Sequence, residues 1–424
     1  MSRSGRGGFA ALDNCVHCGF CLQACPTFLA TGDESDSPRG RIVLMRAYEQ
    51  GELSPDDPGL NRHLDRCLGC RGCEPVCPSG VGYGAGLEAA RARLAERKAP
   101  PLLARLALAA MTSPVVSGIG YAMARALRAS GAPRLLAGRG RLRFAMGMLA
   151  ATRPQRGGEW GVVRDGAHRK SGDYREKPLL TPHSPVLLFR GCIMEGLFAH
   201  VHDATLRTLA VNGWDVVETP GQVCCGALHA HAGLHRTAQA LARANVAAFG
   251  TGEAPIVVNS AGCGAQLKAY GALLDGEPAA ASFAARVRDV TEILAARGPA
   301  PGGPLRLRVA YDAPCHLLHA QKVAEPPLAV LRAIPGIDLR PTADSDQCCG
   351  SAGLYSLLQP ELSRTVLAAK LSRLLEEPPD VVATGNPGCV MQLGAGLLAE
   401  RTPVSARHPV ELLDLSYRAA GFYR

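Results

Sequence analysis

Residues 15–26 read CVHCGFCLQACP and residues 67–78 read CLGCRGCEPVCP. Both are C-x2-C-x2-C-x3-C-P, matched position for position. Cluster iron is soft enough to prefer thiolate sulfur. The x2 spacings wrap three thiolates around one iron–sulfur cube, and the fourth cysteine sits beyond the turn. Zinc ribbons use two C-x2-C pairs instead, so these eight cysteines read as cluster ligands rather than as two zinc sites. His17, between two of them, reads as an exposed residue rather than a ligand.

The spacing resembles that of bacterial ferredoxins. In two-cluster members the fourth cysteine of each run ligates the other cube. The resemblance therefore implies two [4Fe–4S] clusters, one on Cys15, Cys18, Cys21 and Cys77, the other on Cys67, Cys70, Cys73 and Cys25. Cys15 and Cys67 stand 52 positions apart, too far for a compact bacterial ferredoxin. The intervening SDSPRGRIVLMRAYEQG predicts a helix, capped by Ser37, with Pro38 in its first turn and Gly51 ending it. This looks like the α-helical ferredoxin arrangement of respiratory dehydrogenase subunits. Arg39, Arg41 and Arg71 lie near the cysteines in sequence, and a positive charge beside a cube would raise its potential.

The chain has 424 residues, 16 of them cysteine, and a formal charge of +9. Its length predicts several domains. The opening MSRSGRGGFAALDN holds no apolar run fit for a signal peptide. The cysteines are thus expected reduced, in the cytoplasm, as metal or redox groups. LALAAMTSPVVSGIGYAMA, residues 106–124, is broken by Pro114 and reads as a buried or interfacial helix rather than a span. Between Arg125 and Lys177 lie thirteen Lys/Arg and four Asp/Glu, which carries the whole net charge. Next to an apolar segment, such a stretch suits a solvated arm, an acidic partner or the inner face of the cell membrane. No nucleic-acid module accompanies it, so nucleic acid is not an expected partner.

Four segments are expected: a two-cluster domain at 1–98, a helical and basic linker at 99–181, and two α/β domains at 182–298 and 305–424. The last two are an internal duplication. VLLFRGC matches LRVAYDAPC, WDVVETPGQVCCG matches IDLRPTADSDQCCG, and APIVVNSAGC matches PDVVATGNPGC. One cysteine set is Cys192, Cys224, Cys225 and Cys263; the other is Cys315, Cys348, Cys349 and Cys389. Strand ends and helix N-termini converge at one edge of an α/β sheet, where thiolates are favoured. The pattern resembles the CCG (cysteine-rich) domain of heterodisulfide reductase and its relatives, which implies a further iron–sulfur cluster. The chain departs from the final C-x-x-C of that pattern, with Ser260 in one repeat and Asn386 in the other. A four-cysteine cluster, a zinc site or redox-active thiols remain open at both sets. His229, His231, His235, His316 and His319 read as surface or supporting residues.

The combination, a helical ferredoxin-like domain followed by two α/β CCG domains, resembles the glycolate oxidase iron–sulfur subunits over nearly the whole chain. The resemblance implies a partner FAD-containing flavoprotein that oxidises glycolate to glyoxylate, with electrons carried onward toward a quinone. Related subunits serve other 2-hydroxy acids, glycerol 3-phosphate or heterodisulfides. A zinc-stapled interaction scaffold is the reading from another class. No strand–GxGxxG–helix site or paired carboxylates stand out, so no catalytic residue is expected here and substrate chemistry falls to the partner.

Overall fold

Prolines and small polar caps set the helix starts of the first domain. The computed structural model describes residues 7–154 and 184–423; most of the segment read as irregular linker lies outside them. Helix α1 (Pro26–Thr31) starts directly after Cys25. Helix α2 (Pro38–Gln50) has the expected ends: the Ser37 hydroxyl accepts from the Gly40 N–H at 2.9 Å, and Gly51 takes a left-handed φ of 83°. Helix α3 (Pro58–Asp65) is capped by Asp57, and α4 spans Tyr83–Ala95. Ile42, Met45, Leu60, Leu64 and Leu87 form one core from these helices, and Cys67 and Cys73 are part of it.

Helices α5 (Leu102–Thr112), α6 (Pro114–Ala129), α7 (Ala132–Leu136) and α8 (Arg141–Ala151) follow. The apolar stretch is two helices. Ser113 caps the second and Pro114 occupies its first turn, and the axes turn by 96°. No single described helix is long and apolar enough to cross a membrane.

Each repeat folds as a four-stranded, wholly parallel sheet with helices packed on it. The first has order β2-β1-β3-β4, from β1 (Ser184–Phe189), β2 (Trp214–Val217), β3 (Ile256–Val258) and β4 (Val287–Asp289). The second has order β6-β5-β7-β8, from β5 (Leu307–Tyr311), β6 (Ile337–Arg340), β7 (Val381–Ala383) and β8 (Ser405–Arg407). The architecture is thus the expected helical domain followed by a duplicated α/β pair. Even the tails correspond: β4 and β8 each lead into a helix closed by a capping box, Asp289 with Glu292 and His408 with Glu411. The two α/β halves dock helix to helix, where Arg207 forks onto the Asp414 carboxylate at 2.7 and 2.9 Å. In the second half, Lys370 lies on α9 (Pro360–Leu374) and Cys389 on α10 (Pro387–Ala399). Helix α8 lies on α10 at backbone-to-backbone range. A Cβ on Gly394 would meet the Ala151 methyl at 2.5 Å, and one on Gly147 would meet Ala395 at 3.2 Å.

Candidate metal centres

The two short runs curl alike. The residue before and the residue after the second cysteine are left-handed in both: His17 (φ 55°) and Gly19 (88°) around Cys18, Gly69 (63°) and Arg71 (60°) around Cys70. This turns three successive cysteines toward one void. For His17 and Arg71 the conformation costs about 1 kcal/mol each, strain of the kind held at functional sites. One void is lined by Cys15, Cys18, Cys21 and Cys77, the other by Cys25, Cys67 and Cys70, with Cys73 bordering both. The chain therefore brings the fourth cysteine of each run to the first three of the other.

The voids differ in exposure. Cys18 is exposed, flanked by Val16 at 69% and Phe20 at 67% exposure. Cys25, Cys67 and Cys73 are buried. Arg39 serves the outer loop, donating to the His17 carbonyl at 3.1 Å while pairing with Glu34. Arg41 is wholly buried beside the inner one. It donates to the His63 carbonyl at 2.6 Å and to Thr27 at 3.0 Å, pairs with Asp36, and reaches the Cys25 sulfur at 3.9 Å. Burial opposes its charge, but Cys67, Tyr83, Cys25 and Asp36 outweigh that and raise its pKa. Burial likewise pushes the Cys67 thiol up, yet Arg41, Arg91, a bond from Tyr83 and the Gly69 N–H bring it below the ordinary value. Soft donors around two voids, with a cation behind the inner one, fit [4Fe–4S] clusters. The near-contact of Asp33, Asp36 and His63 is by contrast a satisfied ion-pair network, since Asp36 is held by Arg41, Arg66 and His63.

The long-range cysteine sets also converge at the strand ends. In the first, Cys192 and Cys224 are 3.6 Å apart, and Cys225 interacts with Cys224 and Cys263. In the second, Cys315 lies 4.0 Å from Cys348, and Cys349 lies 3.2 Å from Cys389. None of the sixteen cysteines is in a disulfide. The two positions where a CCG cysteine is replaced sit at the seam between the repeats. Asn386 donates to the Cys389 sulfur at 3.5 Å and accepts from the Gly262 N–H at 3.1 Å, while the Ala261 N–H, beside Ser260, donates to the Gly385 carbonyl.

Of the histidines, His316 comes within hydrogen-bond range of a cysteine, its Nδ1 at 3.6 Å from Cys315 Sγ. Its ring also meets that of His231, with centroids 5.4 Å apart. His319 bonds the Asp346 carbonyl, His229 is buried near Cys224, and His235 is exposed at a helix start.

Sequence reasoning missed Lys370. Its ammonium is buried, pairs with Asp312 at 2.7 Å, and donates to the carbonyls of Asp344, Ser345 and Gln347 at 2.8–2.9 Å. It thereby anchors the loop carrying Cys348 and Cys349. A signal was present: Lys370 sits in the inward stripe Ser363, Val366, Leu367, Lys370, Leu371 and Leu374. The first repeat does the same work without charge. Asn245 accepts from the Val223 N–H, donates to the Cys224 carbonyl, and bonds Tyr270.

The second cysteine-rich site abuts the inner void. Leu68, Cys315, Cys348 and Tyr355 form one apolar cluster with Cys70 packed against it, and the Tyr355 hydroxyl donates to the Arg66 carbonyl at 2.8 Å. The first site is covered instead by α6. Tyr121 packs on Gly196, and Arg125 and Arg128 donate to the carbonyls of Gly196 and Leu197 at 2.9 Å.

Fold and sites define a modular iron–sulfur protein. A 4Fe-4S dicluster domain matches residues 11–81, and a cysteine-rich domain matches twice, at 186–268 and 309–394. The chain is 34% identical to the "Probable glycolate oxidase iron-sulfur subunit" of Bacillus subtilis, over 96% of this chain and 94% of that one. It is 32% identical to the glycolate oxidase iron-sulfur subunit of Escherichia coli, over 94% and 93%. Similarity extends to one chain of a fumarate reductase (CoM/CoB) from Methanothermobacter marburgensis, at 26% identity over 96% of this chain and 72% of that one. The chain belongs to the glycolate oxidase iron–sulfur subunit family: an iron–sulfur, electron-transferring subunit of an oxidoreductase.

Proposed function

We propose that this subunit takes electrons from an FAD-containing partner that oxidises glycolate to glyoxylate and delivers them toward a quinone. When bound, [4Fe–4S] clusters accept and release single electrons. Cys15, Cys18, Cys21 and Cys77 would hold the outer cluster, and Cys67, Cys70, Cys73 and Cys25 the inner. The carrying observation is contiguity: an exposed cysteine-lined void, a buried one sharing Cys73 with it, and a third cysteine site packed against Cys70. Exposed Val16 and Phe20 offer the partner an apolar footing beside Cys18. Arg39 and Arg41 hold positive charge at the outer and inner sites, which favours reduction. Cys192, Cys224, Cys225 and Cys263, and Cys315, Cys348, Cys349 and Cys389, would hold a further cluster or zinc.

The test is anaerobic purification with iron, sulfide and zinc measured per polypeptide, and electron paramagnetic resonance of the reduced protein. About eight irons with two interacting cubane signals support the N-terminal assignment, and clearly more iron places a cluster in the duplicated half. Zinc without iron in freshly prepared protein overturns the electron carrier in favour of a scaffold. Reduction of the clusters by glycolate with the flavoprotein partner, and not by lactate or glycerol 3-phosphate, fixes the substrate.

A further inference from the structure

A cavity of about 400 Å³ lies where the first domain meets both cysteine-rich domains. Small-molecule sites favour such interfaces and run from about 300 to 1,000 Å³. The first domain walls it with Leu64 and Leu94, the first cysteine-rich domain with Leu228, and the second with Tyr355 and Leu358. Close packing holds the three together. Gly233 sits against the Arg91 carbonyl and Gly353 against the Leu228 side chain, neither with room for a Cβ, and Tyr355 donates to the Arg66 carbonyl.

Cys67, assigned above to the inner cluster, is part of the wall, and so is His231. One guanidinium ties them together: Arg91 donates to the carbonyls of Leu64 and Cys67, both at 2.8 Å, and to that of His231 at 3.4 Å. The His231 ring forms no hydrogen bond among the described residues, and the Glu88 carboxylate stands 4.0 Å from its Nδ1. Burial and the nearby His316, Arg91 and Arg71 hold His231 well below the usual imidazole range. A neutral imidazole keeps one N–H to donate.

The rest of the lining suits a neutral molecule. Its other formal charges are Asp65 and Lys98, one of each sign and both exposed. Arg91 is taken up by its three carbonyls, so nothing is left to grip a carboxylate or phosphate. Ala99, Pro101 and Leu358 also line the cavity and are exposed, which gives an apolar tail a way out. An apolar ring with carbonyl acceptors, carrying an apolar tail and placed against a cluster ligand, describes a membrane quinone.

We propose that this cavity is the quinone site, with the ring beside Cys67, one ring carbonyl accepting from His231, and the tail leaving past Leu358. The proposal rests on the electron-carrier reading above. Two reduced clusters hold two electrons, delivered singly. One quinone takes both, together with two protons from solvent water, and becomes a quinol.

The test uses the full chain, purified anaerobically with its clusters. Binding is read by fluorescence quenching of 2-heptyl-4-hydroxyquinoline N-oxide, a quinone analogue. Electron delivery is read by stopped-flow reoxidation of the chemically reduced protein with decylubiquinone. Ferricyanide, a hydrophilic one-electron acceptor that needs no cavity, is the control. Stoichiometric quenching is expected, with saturable reoxidation by decylubiquinone that the analogue blocks. Ala99→Trp fills the mouth from an exposed position and should weaken both by about tenfold. His231→Phe removes the donor and should weaken both by about fivefold, and His231→Gln, which keeps an N–H, should recover most of that. Ferricyanide rates and the paramagnetic spectrum of the reduced protein should stay at parental values in all three variants. Clusters that cannot be reduced overturn the carrier reading and this site with it. Clusters that ferricyanide reoxidises overturn this site alone if the analogue does not bind, or if A99W and H231F leave its binding and the quinone rate unchanged.

Discussion

Replacing Lys370 by methionine tests whether one buried cation holds the loop of the second Cys-Cys pair. The ammonium and the Asp312 carboxylate are both sealed from solvent, at 1% and 2% side-chain exposure and 2.7 Å apart. At an effective dielectric of about 20, a pair at that distance attracts by roughly 6 kcal/mol, most of it offset by desolvation. Removing one partner leaves the other charge uncompensated, and such changes cost about 3–5 kcal/mol. K370M should therefore destabilise the second half by about that much. The double variant D312L/K370M removes the stranded charge and should recover to within about 2 kcal/mol of the parent, because replacing both members of a buried pair is often near neutral. The two effects of Lys370 then separate. The carbonyls of Asp344, Ser345 and Gln347 lose their donor in both variants. Hydrogen exchange read by mass spectrometry over residues 344–350 should accelerate about a hundredfold in K370M, the equivalent of about 3 kcal/mol of local opening. In the double variant the loop should stay fast while sheet β5–β8 regains its protection. Unchanged exchange in K370M would refute the anchoring argument, and a double variant no better than the single would refute the charge argument.

Three further outcomes follow from the same geometry. If fourth cysteines are exchanged, Cys77→Ser should leave the same residual paramagnetic signal as Cys18→Ser, and Cys25→Ser the same as Cys70→Ser; the opposite pairing would sink the ligand assignment. Burial lowers the His408 pKa to about 4, so only the unfolded chain takes up a proton as pH falls from 6.5 to 4, and the contribution, about 3 kcal/mol, is complete above 6.5 and lost through that window. Asp289, which burial raises to about 6, acts in the opposite sense, so the readout is the difference from His408→Asn, whose amide can keep the cap; equal pH slopes would contradict the argument. Gly394→Ala places a methyl 2.5 Å from that of Ala151 and should cost about 1–3 kcal/mol in a urea melt; a neutral result would mean that α8 is not held tightly on α10.

The duplicated half was readable because its strands repeat with its cysteines, so finding one repeat located the other. The cysteine sets were readable because ligands at strand ends must converge when every strand runs the same way. Three things were not. The 96° turn at Ser113 and Pro114 depends on which neighbours α5 and α6 find, and hydropathy of residues 106–124 carries no such information. Asn386 and Ser260 read as lost ligands, while their place at the seam between repeats becomes visible only when both sheets are assembled. Lys370 was hidden by the habit of placing lysine outside, although its neighbours at three- and four-residue spacing all face inward.

Duplication gave this chain two similar pockets, and their surroundings have since diverged in charge. Behind Cys348 and Cys349 stand Lys370 and Asp312, and beside Cys315 stands His316. Behind Cys224 and Cys225 stand Asn245 and Tyr270, neutral groups that satisfy the same backbone demands. The charged pocket is the one packed against Cys70 and the inner void, and the neutral one is covered by α6. A buried ion pair is costly to assemble and seldom improves stability over an apolar replacement, so its presence in one copy alone calls for a reason other than folding. A thiolate-rich site bearing net negative charge supplies one, because a nearby ammonium offsets that charge where water cannot reach. By that reasoning metal occupancy should differ between the repeats, with the Cys315 set binding the more tightly, and K370M should lower metal retention there while leaving the Cys192 set unchanged.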